Sequence, residues 1–147
     1  EICEKYAPER VDIVRYDAEK PLPFADGMFG SVLVDAPCSG TGTIRHNPEI
    51  RYFVQAEDIP RFAARQLAIL NNASNAVAEG GHLIYSTCSL EIEENEDVVR
   101  AFLAHQTGWK IEEHKLPDKY LTDSGFARTF PHRDDMDGFF IAVLRKA

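Results

Sequence analysis

Short apolar runs alternate along this chain with stretches of helical period, and that alternation most restricts what it can fold into. The runs are Val11 to Tyr16, Gly30 to Asp35, His82 to Thr87, Trp109 to His114 and Gly138 to Leu144. Each is too short for a helix, and most are rich in β-branched or aromatic residues. Between the second and third, Ile59, Ala63, Leu67, Leu70, Ala73 and Val77 recur at steps of three and four, the stripe of a helix packed on one side. Asp58 suits its N-cap, Pro60 its first turn and Gly80-Gly81 its end. A second helix is expected before Gly108. Its acidic run Glu91, Glu93, Glu94, Glu96 and Asp97 reads as a solvated start, and Val98, Val99, Phe102 and Leu103 as its inward face. Strands alternating with helices predict βαβ units, hence an α/β fold with a mostly parallel sheet and with Gly30 to Asp35 covered on both faces.

The chain has 147 residues, 44% of them hydrophobic and 27% charged, which excludes a disordered or fibrous chain and suffices for one core. No apolar run reaches the roughly 18 residues of a membrane span, so no membrane partner is expected. The sequence begins at Glu1 within charged residues and is expected to be a piece of a longer protein. Cys3, Cys38 and Cys88 form no Cys-x-x-Cys, and the histidines show no ligand spacing. Neither a disulfide framework nor a metal is signalled, and a reducing compartment, the cytoplasm, is the simplest setting.

In an open parallel sheet, ligands bind outside the carboxyl ends of the strands. Asp17 follows the first run here, Asp35 and Cys38 the second, and Cys88 the third. If the second and third strands are neighbours, a right-handed crossover brings both thiols to one rim. Ordinary readings stand beside this. Cys3 reads as a small buried hydrophobe, and so do Cys38 and Cys88 when taken singly. Asp17 reads as a strand-end cap and Asp35 as a loop carboxylate bonding backbone N–H groups.

Asp35-Ala-Pro-Cys-Ser-Gly-Thr-Gly42 and Tyr85-Ser-Thr-Cys-Ser89, followed by Glu93-Glu-Asn-Glu96, closely resemble the two signature motifs of the Fmu/Sun (RsmB-like) family of RNA cytosine-5 methyltransferases. The likeness runs from Asp17 to Asp137-Gly-Phe-Phe140. It implies a Rossmann-like class I methyltransferase sheet, S-adenosylmethionine as cofactor and RNA, ribosomal or transfer, as partner. By resemblance Cys88 is the thiol that attacks carbon 6 of cytosine, and Cys38 is the second cysteine, which assists breakdown of the adduct. Asp35 resembles the carboxylate between cofactor and base, and Asp17 the residue at the cofactor's adenine end.

The family's glycine-rich cofactor loop does not precede Asp17. Residues 1–147 are therefore expected to be a partial catalytic domain, truncated in its N-terminal half, with the family's third to seventh strands. Taken alone it is expected to bind S-adenosylmethionine weakly or not at all, to be inactive, and to expose a sheet edge open to an edge-paired or swapped homodimer. The resemblance places the parent protein in the cytoplasm, or the nucleolus of a eukaryote. With sixteen Lys and Arg against twenty-four Asp and Glu, the charge of −8 sits poorly with RNA. Arg45, His46, Arg51, Arg61, Arg65, Arg128, His132 and Arg133 are expected to form a local basic rim, with much of the grip lying elsewhere. A thiol redox protein or hydrolase lacks its Cys-x-x-Cys or serving histidine here. A decayed, non-catalytic module sits poorly with two whole motifs. An amino-methyltransferase would carry Pro-Pro-aromatic where this chain has Ala36-Pro-Cys38.

Overall fold

The computed structural model describes residues 11–113 and 115–147. Its elements are β1 (Phe29–Asp35), α1 (Ile50–Phe53), α2 (Ile59–Asn75), β2 (Val77–Thr87), α3 (Glu96–His105), β3 (Trp109–Ile111), β4 (Ala127–Arg128), α4 (Pro131–Asp134) and β5 (Phe140–Lys146). The sheet runs β1-β2-β5-β3, with β4 also on β5.

β1 pairs with β2 in parallel, and α2 is the crossover between them. The expectation of a mostly parallel sheet is corrected, because β5 lies antiparallel to β2, to β3 and to β4. β5 enters beside β2 from the rim, so the alternating pattern holds while the direction reverses. Among the described residues no helix is long and apolar enough to cross a membrane.

One face of the sheet carries the core. Leu83, Tyr85 and Thr87 of β2 stand opposite Leu144, Ala142 and Phe140 of β5, all fully buried. Leu70 and Ala73 of α2 and Val98, Val99 and Phe102 of α3 belong to the same buried cluster. Side chains such as Leu70, Phe102 and Phe140 contribute roughly 1.5–3 kcal/mol each through burial. The other face of β1 is not covered by the described residues: Leu33 is 65% exposed, where cover on both faces was expected.

Two further expectations give way. Val11 to Tyr16 forms no strand, and Val11, Ile13, Val14 and Tyr16 are exposed. A strand needs a hydrogen-bonding neighbour, and among the described residues β1, at the end of the sheet, takes none on its outer side. Helix α2 ends at Asn75, ahead of Gly80-Gly81. The carbonyls of Asn75 and Ala76 are taken by the Gly27 and Phe29 amides as β1 comes in, so the helix has no reason to continue. The two glycines serve the strand instead. Gly80 has φ +72°, and a Cβ on Gly81 would meet the Ala78 and Gly30 carbonyl oxygens at 2.8 Å, at the place where the β1–β2 register shifts. The fourth expected strand is short, Trp109–Ile111, and its end, His114, lies outside the described residues, as does Cys3.

Candidate active site at the carboxyl ends of two parallel strands

Each of the two parallel strands runs out into a Cys-Ser pair. β1 ends at Asp35 and delivers Cys38-Ser39; β2 ends at Thr87 and delivers Cys88-Ser89. Adjacent strands in near register place equivalent positions side by side. The Cys38 and Cys88 sulfurs are 3.4 Å apart and the Ser39 and Ser89 hydroxyl oxygens 3.0 Å apart. The cysteines are half-buried at the rim, whereas both serines are buried beneath it.

Glu94 closes the arrangement from below. It is fully buried, and its carboxylate accepts hydrogen bonds from the Ser39 amide (2.9 Å), Gln66 Nε2 (2.8 Å), Ser89 Oγ (2.6 Å) and Ser39 Oγ. A buried carboxylate is tolerable only when supplied with donors in this way. Neighbouring backbone holds it in place. A short 3₁₀ turn over Ile92–Glu94 breaks at Asn95 (φ −115°, ψ −98°) before α3 begins, which turns Glu94 inward. The Tyr85 hydroxyl donates to the Glu94 carbonyl at 2.6 Å; burial, and then the Glu94 charge, hold this phenol well above its ordinary range, so it remains a donor. Asn95 donates to the Ser89 carbonyl at 2.9 Å and accepts from Thr87.

The expected solvated helix start is therefore corrected: Glu94, Asn95 and Glu96 are buried. Glu96 pairs with Arg128 at 2.9 Å, and Arg128 also donates to the Leu90 carbonyl at 2.7 Å. Charge counting could not find these residues. Gln66 was the available signal, because a polar side chain on the stripe of α2 needs a buried partner.

The late segment docks on the first motif. Gly42 N–H donates to the Cys88 carbonyl at 2.9 Å and Gly138 N–H to the Gly42 carbonyl at 2.8 Å. Leu90 N–H donates to Thr41 Oγ1 at 2.9 Å. The residues expected as a basic rim are largely neutralised: Arg45 by Asp135 and Asp137, His46 by Asp137, Arg61 by Asp58, Arg65 by Glu19, Arg133 by Asp134 and Arg128 by Glu96. Arg51 lies over the Tyr52 ring at 5.2 Å, and His132 packs near the Phe130 ring at 5.5 Å.

Electrostatics separates the two thiols. The hydrogen bond from Cys38 lowers Cys88 from 9.0 to about 7, against burial and the charges of Asp35 and Glu94, which raise it. Cys38 is pushed far up, first by its hydrogen bond to Cys88, then by burial and by the Cys88 charge. The proton the pair shares rests on Cys38, and Cys88 holds the thiolate. Alkylation of Cys88 is accordingly expected to follow a pH midpoint near 7, with Cys38 reacting far more slowly. Peptide mapping after iodoacetamide pulses across pH reads both; a midpoint near 9, or faster labelling of Cys38, contradicts the assignment of the proton.

Asp35 is exposed at the end of β1, and Ser86 Oγ donates to it at 3.4 Å. It pairs in register with Ser86, two residues before Cys88. Asp17 stands apart. It is exposed in a turn, where it accepts from the Glu19 amide at 3.1 Å and lies 3.7 Å from Lys20 Nζ. The structure thus brings Cys38 and Cys88 into contact, sets Asp35 at the end of the strand that delivers Cys38, and gives Asp17 its contacts within its own turn. Among the described residues no three His, Cys, Asp or Glu side chains gather as a metal site.

Residues 3–145 match the family described as 16S rRNA methyltransferase RsmB/F. Ribosomal RNA small subunit methyltransferase B of Thermus thermophilus is 47% identical over 130 residues, 88% of this chain and 32% of that protein. The crystal structure of PH0851 superimposes with a TM-score of 0.91 at 35% identity, covering 98% of this chain and 33% of that one. The structure of NSun6 from Pyrococcus horikoshii with SFG gives 0.80 at 30% identity, covering 98% and 36%. The chain spans about a third of the length of these proteins.

Proposed function

Because this chain belongs to the 16S rRNA methyltransferase RsmB/F family, with its Rossmann-like class I sheet, we propose that it is the thiol-bearing part of an RNA cytosine-5 methyltransferase. The observation that carries the proposal is the Cys38–Cys88 contact at 3.4 Å at the carboxyl ends of the parallel strands. Carbon 5 of cytosine is too weak a nucleophile to take a methyl group directly. The Cys88 thiolate forms a bond to carbon 6, the ring electrons shift toward nitrogen 3, and carbon 5 becomes enamine-like. This covalent route splits one hard step into easier ones. Asp35, at the end of β1, is proposed to meet nitrogen 3 and lend it a proton as electron density gathers there.

When bound, S-adenosylmethionine supplies an electrophilic methyl group. The residues fit one end of it: Asp35 is exposed at the end of the strand that delivers Cys38, and an acidic side chain there would favour a cationic sulfonium. Asp17, exposed in its turn beside Lys20, is proposed for the adenine end. The SFG of the NSun6 structure, an analogue of S-adenosylmethionine, supports this cofactor for the family. For this chain alone, calorimetry with S-adenosylmethionine is expected to show only weak binding or none; tight binding contradicts that.

Once carbon 5 is methylated, its proton must leave and the carbon 6–sulfur bond must break. Cys38 is placed for the proton. Its hydrogen bond to Cys88, burial and the Cys88 charge hold its proton on, and in the adduct, where that sulfur is a neutral thioether, only burial remains. Cys38 then gives its proton to solvent and, as a thiolate, takes the proton from carbon 5 while the carbon 6–sulfur bond breaks and Cys88 leaves as a thiolate. The target base must be single-stranded or flipped out, since carbon 6 is not reachable inside a duplex. With most of the arginines expected on the rim paired, this acidic chain is proposed to rely on RNA contacts outside these residues. Taken alone, the outer edge of β1, without a partner among the described residues, is proposed to pair with a second copy, which sedimentation at high concentration reads directly.

The reaction class is tested with a protein of the relatives' full length, incubated with S-adenosylmethionine and RNA. The expected product is 5-methylcytosine; methyl groups found only on an exocyclic nitrogen or a ribose oxygen contradict the proposal.

A further inference from the structure

We propose that Glu94 is the positioning residue that sets the two thiols in contact, acting through Ser39 and Ser89 rather than by touching substrate. The inference deepens the methyltransferase reading and rests on it for its purpose, although not for its test. The geometry is a double one. Cys38-Ser39 and Cys88-Ser89 are two copies of one dipeptide, fifty residues apart, laid side by side with cysteines at the rim and serines below. One contact between two sulfurs fixes a single distance and does not by itself hold two loops in register. The serines can, because both hydroxyls and the Ser39 amide converge on one buried carboxylate. Gln66, from the middle of α2, donates to that carboxylate at 2.8 Å and to the Pro37 carbonyl at 3.0 Å, so the crossover helix is tied to the same point. A charge that far from water belongs to the loops it joins.

This role is separable from that of a nearby negative charge. The Glu94 charge by itself raises Cys88; the contact with Cys38 that Glu94 sustains lowers it. Glu94→Gln removes the charge and keeps the length. Its oxygen accepts from Ser39 N–H and Gln66, and its amide donates to hydroxyls that can accept. Glu94→Asp keeps the charge and withdraws it by one methylene from serines that need it at hydrogen-bond distance.

The experiment is the pH profile of Cys88 alkylation in the full chain, read by peptide mapping without RNA or cofactor, with circular dichroism confirming the fold. Glu94→Gln is expected to keep the midpoint at or below about 7, and Glu94→Asp to move it toward 9.0. Such a shift cuts the thiolate fraction at neutral pH by about 50-fold but raises intrinsic nucleophilicity nearly tenfold, so the midpoint is read, not the rate at one pH. An unmoved midpoint in folded Glu94→Asp overturns the proposal, as does a Glu94→Gln midpoint raised as far as that of Glu94→Asp. Should Glu94→Asp fail to fold, Ser39→Ala removes one donor and leaves the other three; a raised midpoint supports the role and an unchanged one overturns it. A failure of the cytosine assignment would leave these midpoints untouched, because neither RNA nor cofactor enters the measurement.

Discussion

Replacing Cys88 with alanine in the full-length protein is expected to abolish methyl transfer, lowering turnover on the order of 10⁶-fold, the scale on which a covalent nucleophile is lost. The argument is chemical. Without sulfur addition at carbon 6, carbon 5 has no electron density to offer, and no neighbouring group substitutes, because Cys38 lies deeper in the rim than Cys88. The fold should survive, since Cys88 is half-buried and its backbone, rather than its side chain, holds Gly42. RNA binding in a filter or gel-shift assay should therefore be unchanged while 5-methylcytosine disappears. Retention of a tenth of the activity in Cys88→Ala would exclude the covalent route.

Gly42→Ala is expected to damage the same site from the backbone side. A Cβ there would lie 2.2 Å from the Gly138 carbonyl oxygen and 2.8 Å from that of Cys88, and both are main-chain atoms that cannot swing away. Gly42 is the point where three segments meet: the first motif, the Cys88 turn and the late loop. Overpacking such a point costs about 3 kcal/mol, the upper end of the usual range, and lowers Tm by roughly 10 °C in a chain of this size. Displacing the Cys88 turn by about 1 Å also costs about 100-fold in rate, because reacting atoms lose alignment. Gly30→Ala is the control, with nothing within 4 Å of the added carbon. Equal melting temperatures for the two variants would contradict the close approach.

What could be read in the residues was set by local pattern. The stripe from Ile59 through Ala73 gave α2, and strand runs ending in Cys-Ser gave β1, β2 and the shared rim of Cys38 and Cys88. Crossover handedness converts two distant sequence positions into one place, so that step was accessible without coordinates. Partner-dependent features were not. Val11 to Tyr16 has the residues of a strand but no neighbour to bond, and β5 has the residues of a strand of either direction. Gly80-Gly81 carries the same letters whether it caps a helix or kinks a strand. Glu94 was the instructive miss. A carboxylate among four other acidic residues looks solvated, and only Ser39, Ser89 and Gln66, from three other segments, make its burial possible. The arginines show the converse: read one by one they suggest a basic surface, whereas in space most meet an Asp or Glu.

The division of labour between the two sulfurs is tested most directly by the intact mass of the full-length Cys38→Ala protein after incubation with S-adenosylmethionine and RNA. With the base removed and the nucleophile kept, methylated RNA should remain bonded to the protein, and peptide mapping should find it on Cys88, with no such species in Cys88→Ala. An adduct that forms in the absence of Cys88, or free 5-methylcytosine released by Cys38→Ala at the unaltered rate, would contradict it.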